Sequence, residues 1–182
     1  MIPARGDLGV VQIDEVIFDE ERIRARVKEL AEEINRDYRG KNLLAVGILK
    51  GAFVFLADLV RELDIPLKID FMAIASYGMA TKTSGVVRII KDLDTDIEGL
   101  DVLLVEDIID TGLTLNYVLA NLKARNPSSL EVCALLNKRE ANKIEIPVKY
   151  EGFCIPDFFV VGYGLDCAQE FRNLPYIARI KK

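Results

Sequence analysis

Histidine is absent from all 182 residues, and this narrows the available chemistry more than any other feature of the composition. Proton transfer near neutral pH must then fall to Asp, Glu, Lys, Tyr or Cys, with the environment tuning the pKa. A zinc site would lack its usual nitrogen ligands, and Cys133, Cys154 and Cys167 stand in no metal-ligand spacing. Their odd number reads as reduced thiols of an intracellular protein. Basic blocks are also missing. With 24 Lys and Arg against 29 Asp and Glu, the net charge of −5 argues against a broad nucleic-acid surface. No stretch approaches the ~18 apolar residues of a membrane span. The opening Met-Ile-Pro-Ala-Arg-Gly-Asp lacks a signal-peptide core, so a cytoplasmic location is expected. Asn126-Pro127-Ser128 carries the proline that forbids N-glycosylation. There is no internal repeat, low-complexity tract or linker, and the length fits one domain, residues 1–182.

The familiar nucleotide signatures are missing too. The only Gly-Lys, Gly40-Lys41, is followed by Asn42 and has Asn35 where a P-loop places its first glycine. Gly162-Tyr163-Gly164 is only G-x-G, with Cys167 at the third glycine position, so a dinucleotide site there is improbable. Asp92-Leu93-Asp94-Thr95-Asp96 resembles the start of a calcium loop, yet Ile97 replaces the turn glycine and Leu103 the bidentate acid. It reads as a solvated turn.

What is present is an alternation of helix and strand patterns. Residues 1–18 read as a lead-in. Asp19 is placed as an N-cap, with Glu20 and Glu21 in the first turn and Ile23, Val27, Leu30, Ala31 and Ile34 on one face, until Tyr38-Arg39-Gly40. Leu43–Leu49 reads as a buried strand and Ala52–Leu63 as a helix, which Ile65-Pro66 ends. Lys68–Ala75 is a third-element strand, and residues 76–85 are a long loop or mobile hairpin. Val86–Ile90 resumes strand character, and Asp92–Gly99 is an acidic turn. Val102–Val105 is a strand buried on both faces, with Thr114–Arg125 a helix and Leu130–Leu136 another strand. Tyr150–Cys154 and Phe158–Gly162 are short strand candidates. This spacing implies an α/β fold, an open, mostly parallel twisted sheet flanked by helices. Ligands of such sheets sit at the C-terminal ends of the strands, so Lys50-Gly51, Ser76-Tyr77, Glu106 to Thr114, Lys138 and Asp166 would face one crevice.

The most informative stretch is Val102 to Leu115. Glu106 and Asp107 follow the buried run, Asp110 comes three residues later, and Thr111-Gly112-Leu113-Thr114 opens a helix. Oxygen acids beside a helix N-terminus suit a phosphate together with a divalent cation. As a bare structural feature, adjacent acids there would cost stability through repulsion, which favours a functional reading.

This stretch closely resembles the phosphoribosyl-pyrophosphate motif of type I phosphoribosyltransferases. Leu49-Lys50-Gly51, Ser76-Tyr77-Gly78, Leu135-Leu136-Asn137-Lys138 and Phe159 to Asp166 with Arg172 narrow the resemblance to the hypoxanthine–guanine phosphoribosyltransferases. The resemblance implies a small hood from the chain ends and a mobile loop around 76–85. It implies purine salvage, in which the phosphoribosyl group of 5-phospho-α-D-ribose 1-diphosphate passes to hypoxanthine or guanine with Mg²⁺ through an oxocarbenium-like state. Glu106 and Asp107 would hold the ribose hydroxyls and help ligate magnesium, with Asp166 at a second magnesium site. Lys50, Gly51 and Arg172 would hold the pyrophosphate. Ile109, Asp110, Thr111, Gly112 and Thr114 would complete the sugar-phosphate site, with phosphate on the Thr111–Leu115 backbone. Asp110 would face the purine N7, as general base or as hydrogen-bond partner. Lys138 would donate to O6, Phe159 stack on the base, the Val160 backbone read its edge, and Asp166 border the purine. Ser76 and Tyr77 would belong to the lid, and the Lys50-Gly51 loop often carries a cis peptide in the family. Departures are Asn137 where an acid is common, Arg139 where proline is, and Ala75 where a serine is frequent. A homodimer or homotetramer is implied. The alternative is a non-catalytic regulator of the same fold that senses the sugar diphosphate.

Overall fold

The computed structural model describes residues 12–77 and 86–181, with backbone only at 76, 77 and 86. Strands β1 (Ile13–Phe18), β2 (Leu43–Leu49), β3 (Leu67–Tyr77), β4 (Val86–Lys91), β5 (Asp101–Ile109), β6 (Ser129–Asn137), β7 (Tyr150–Cys154), β8 (Val160–Val161) and β9 (Ile177–Ile180) alternate with helices α1 (Glu20–Asp37), α2 (Phe53–Glu62) and α3 (Leu113–Lys123). Six strands form one sheet in the order β4-β3-β2-β5-β6-β7, in which only β4 is antiparallel to its neighbour. The expected open, mostly parallel sheet is therefore the one observed. Its central strands are near-continuous apolar runs, as burial on both faces requires.

Helix α1 begins where the acids place it. Asp19 caps it by accepting from the Arg22 N–H at 2.8 Å, and Ile23, Val27, Leu30, Ala31 and Ile34 are its buried face. With α2 it covers one face of the sheet, burying Leu30, Ile34, Phe55 and Leu59 against Ala45, Leu103 and Leu135. Helix α3 covers the other, with Leu115, Val118 and Leu122 against Leu44, Leu104 and Val132. Truncating a fully buried leucine such as Leu103 or Leu104 to alanine removes about 2–5 kcal/mol. At the exposed edge, Arg26 of α1 donates to the β7 carbonyls of Gly152 at 3.0 Å and Glu151 at 2.7 Å, which blunts that edge.

The lead-in and the tail differ from expectation. Residues 13–18 are a strand, and Ile177–Ile180 is another that the pattern did not reveal. The expected Phe158–Gly162 strand is only Val160–Val161, and the three pair antiparallel as a separate sheet, β1-β9-β8. This is the hood built from the chain ends. Arg179 clasps Asp14 at 2.9 Å, and Phe18 stacks on Phe153 at 4.0 Å, joining the hood to the main sheet. Strand β3 also runs further than expected. Ser76 and Tyr77 pair with Val87 and Val86 as strand backbone rather than loop, because β4 turns back beside them. The rest of the expected mobile loop lies outside the described residues. Among described residues no helix is long and apolar enough to cross a membrane, and all three cysteines are free thiols.

The acidic turn after β4 has a physical anchor. Asp70, buried on β3, accepts from the N–H groups of Phe71 at 2.7 Å and of Asp94 and Thr95 at 2.9 Å, with Lys91 Nζ at 3.5 Å. Burial alone would raise its pKa. The N–H groups of Phe71, Thr95 and Asp94 outweigh that and hold the carboxyl below its ordinary value. Asp70→Ala strands three donors and is expected to cost about 2–3 kcal/mol in urea unfolding. Because the folded pKa is depressed, the stabilisation is complete above the unfolded value near ~4 and is lost as pH falls through the folded value. The variant should therefore lose less stability than wild type on acidification, and equal acid sensitivity would show that Asp70 is not the anchor.

Candidate active site

The C-terminal ends of β3, β2, β5 and β6 lie side by side along one edge of the sheet, and the polar residues singled out above are distributed along it. Strand β5 continues through Glu106 and Asp107 to Ile109, so the two acids are strand residues rather than loop residues. The alternation of its side chains slips by one residue across them. Leu103, Val105 and Ile108 pack with one core, Val102, Leu104 and Ile109 with the other.

The Lys50-Gly51 turn fits against Asp107 without room for a side chain. A Cβ on Gly51 would stand 1.7 Å from Asp107 Oδ2, and a Cβ on Gly164 would stand 2.2 Å from the Gly51 carbonyl oxygen. Gly164 also has φ +98°, so it is glycine for conformation as well as for space. The peptide that enters this turn, Leu49–Lys50, is cis, in the loop that often carries a cis peptide in the family the sequence resembles. Lys50 Nζ donates to Gln169 Oε1 at 3.0 Å.

Around this stack acidic and basic side chains crowd together. Arg172 pairs with Asp166 at 2.6 Å and donates to the Gly164 carbonyl at 2.7 Å, while its Nε is buried without a partner. Asp166 also accepts from the Gln169 N–H at 2.8 Å. Arg172 and Asp166 thus engage each other here. Burial, then the Asp107 charge, pushes Glu106 well above the usual carboxylate range. Burial likewise raises Asp107, to about 6, against its own N–H, that of Ile108 and the Arg172 guanidinium, with Asp166 pushing the same way as burial. Glu106 Oε2 is buried with no hydrogen-bond partner. Such acids gain from a cation. Among the described residues no group of three or more Cys, Asp or Glu could hold a metal ion alone. The donors fit an ion of magnesium's type, which takes one or two carboxylates and completes its shell with substrate phosphates and water.

Beyond β5 the chain makes the α3 N-terminus. Gly112 is its cap in the left-handed region, φ +78°, and an added Cβ would meet the Ile144 carbonyl oxygen at 3.0 Å. The Thr111 carbonyl accepts from Lys143 N–H at 2.9 Å, and no side chain caps the helix, so Thr111 and Thr114 spend no hydroxyl on a cap. The Ile109 side chain is buried in the core, and its carbonyl accepts from the Lys138 N–H at 2.9 Å, so it holds Lys138 in place. Lys138 is itself buried, with Nζ 3.0 Å from Asp157 Oδ1 and 3.8 Å from Asp110 Oδ2. Asp110 is exposed. The atypical neighbours of Lys138 both reach Glu151 of β7, Asn137 Nδ2 at 2.6 Å and Arg139 at 2.8 Å. Val160 sits in the hood opposite Arg179, and Phe159 is 38% exposed.

The structure therefore brings together Lys50, Gly51, Asp107, Asp166 and Arg172 in one group, and Asp110 with Lys138 in another. Ser76 and Tyr77 end the neighbouring β3. Sequence reasoning missed Asp157, Gln169 and Glu151. The signal for Asp157 was an acid in the turn immediately before Phe159-Val160. A separate cleft of about 490 Å³ between α1, α2 and Asn173-Leu174-Pro175 takes only Arg172 from these residues.

The family model described as Phosphoribosyl transferase domain matches residues 15–168. A hypoxanthine-guanine phosphoribosyltransferase of Dictyostelium discoideum is 53% identical over 172 residues, 92% of this chain and 96% of that one. The enzyme of that name from Bacillus subtilis is 48% identical, covering 93% of this chain and 94% of its own length. The crystal structure of a Staphylococcus aureus hypoxanthine phosphoribosyltransferase superposes with TM-score 0.89 at 48% identity, over 93% of this chain and 92% of that chain. The chain belongs to the hypoxanthine–guanine phosphoribosyltransferases, a family of enzymes within the phosphoribosyl transferases.

The two glycines of the stack should fail differently. Gly51→Ala meets a short carboxylate and is expected to weaken sugar-diphosphate binding about tenfold or more while leaving the melting temperature nearly unchanged. Gly164→Ala meets backbone at a positive φ and is expected to lower stability by about 1–3 kcal/mol. Calorimetry and a binding titration of both variants check the contrast. Equal loss of stability in both would contradict the assignment of Gly51 to the site.

Proposed function

We propose that the protein transfers the 5-phosphoribosyl group of 5-phospho-α-D-ribose 1-diphosphate to hypoxanthine or guanine, forming IMP or GMP and diphosphate. The observation that carries this reading is the placement of two separate groups at adjacent strand ends. Asp107 of the acid pair sits against the Lys50-Gly51 turn, and Asp110 stands beside Lys138.

The 5′-phosphate is held by the backbone N–H groups from Thr111 to Leu115 and the Thr111 and Thr114 hydroxyls, at the positive end of α3. Glu106 and Asp107 hold the ribose hydroxyls, and their charge favours the cation that develops at the anomeric carbon as the diphosphate departs. Lys50, the Gly51 N–H and Arg172 receive the diphosphate, and for this Arg172 loosens its pairing with Asp166. Glu106 and Asp107 would help hold one Mg²⁺ and Asp166 a second, and that charge would offset both the acids and the leaving group. Phe159 stacks on the purine, the Val160 backbone reads its edge, and Lys138 donates to O6. An ammonium donates only, so a 6-amino group in that place leaves a buried charge unmatched. Asp110 meets the proton at N7 as the purine attacks. Ser76 and Tyr77, at the end of β3, belong to the lid that shields the reacting carbon from water.

Incubation with the sugar diphosphate, magnesium and each purine base should give IMP and GMP but no AMP. Absence of nucleotide with both 6-oxopurines would refute the proposal. Asp110→Asn is expected to lower kcat by about 10²–10⁴ with sugar-diphosphate binding nearly intact. Chelation of divalent cations should abolish turnover, and restoration by magnesium alone checks the cation.

A further inference from the structure

Lys138 is held by its backbone more firmly than by its head group. Its N–H donates to the Ile109 carbonyl at 2.9 Å, its own carbonyl accepts from Ala141 at 2.9 Å, and its neighbours Asn137 and Arg139 are both tied to Glu151. What remains free is the ammonium at the end of a flexible stem. That ammonium is buried together with its residue, and two acids compete for it, Asp157 at 3.0 Å and Asp110 at 3.8 Å. Only the first distance is a hydrogen bond.

We propose that Asp157 is a positioning residue that holds the Lys138 ammonium off Asp110 and aims it at the purine 6-oxo group; this rests on the function proposed above. The turn that carries Asp157 is anchored to the end of β6, next to Lys138, through the Ile155 N–H donating to the Asn137 carbonyl at 3.0 Å, and is closed within itself by the Phe158 N–H donating to the Pro156 carbonyl at 2.9 Å. Both ends of the ion pair are thus referenced to the end of β6. A lysine ammonium has three donors, so one can stay on Asp157 while another meets the base. Without Asp157, the nearest opposite charge is Asp110, and closure of Lys138 onto it would remove the 6-oxo donor and occupy the carboxylate that faces N7. Asp157 has a half-exposed side chain, 62% by area, so its replacement leaves no buried charge of its own.

The test is a double-mutant cycle on the full-length enzyme with Asp157→Asn, Lys138→Ala and the double variant. Asp157→Asn is expected to raise the KM for hypoxanthine about tenfold and the KM for the sugar diphosphate less than ~2-fold. In the double variant, Asp157→Asn should add nothing to the defect of Lys138→Ala, because it acts through that lysine. Asp157→Glu, which keeps the charge, should recover most of the loss. The proposal is overturned if Asp157→Asn leaves the hypoxanthine KM at the wild-type value, or if its effect adds in full to that of Lys138→Ala. It is also overturned if both substrates' KM values rise together, the mark of a general structural defect. A wild-type protein that forms no nucleotide would instead refute the function on which the proposal rests.

Discussion

Two neighbouring carboxylates, half-buried at the end of a central strand, are unfavourable unless something else is built around them. Glu106 and Asp107 raise each other's cost, burial raises it further, and one oxygen of Glu106 has no partner at all. Much of the surrounding architecture makes that arrangement possible. The Lys50-Gly51 turn offers Asp107 a surface without a side chain, Gly164 in turn closes on Gly51, and Arg172 brings a guanidinium to the same place while holding the Gly164 carbonyl. A change in any member is transmitted to the carboxylates because there is no slack between them. What the group lacks is positive charge, which a divalent cation would provide.

The second group works by a different principle. Lys138 is a buried cation whose backbone is bonded to Ile109 of β5 and whose head is held by Asp157, leaving it poised between a structural acid and Asp110. One group accommodates excess negative charge and the other a lone positive charge. They stand at the ends of adjacent strands, and the proposed transfer uses both, one for the sugar and its leaving group and one for the base. Gly164, in the turn that follows β8 of the hood, closes on Gly51.

Much of this was legible in the chain itself. Helix α1 was evident from Asp19, the two glutamates and five apolar residues at helical spacing, and the same five are its buried face. Strand β2 and β7 have the expected limits. The acidic stretch stood out before any fold was known, because oxygen acids after a buried run, followed by Thr-Gly-x-Thr, suit a phosphate together with a cation. The hood strands were not legible. Strand β1 pairs with β9 across nearly the entire sequence, and β8 has only two residues, so neither carries a local pattern strong enough to stand alone. Strand β5 looked shorter than it is because polar side chains mask a backbone that continues to pair with β6. Asp70 and Asp157 were missed for a related reason, as their partners come from other segments of the chain.

The sequence by itself determined the helices, the buried parallel strands and the chemical character of the site, since each rests on residues a few positions apart. A helix closes its hydrogen bonds within one turn, and a strand buried on both faces announces itself by composition. The tertiary structure alone decided which glycine makes room for which acid, that Arg172 and Asp166 engage each other, and that Asp157 rather than Asp110 holds Lys138. These contacts join distant segments through excluded volume and charge, and both depend on separation in space, which the order of residues does not state.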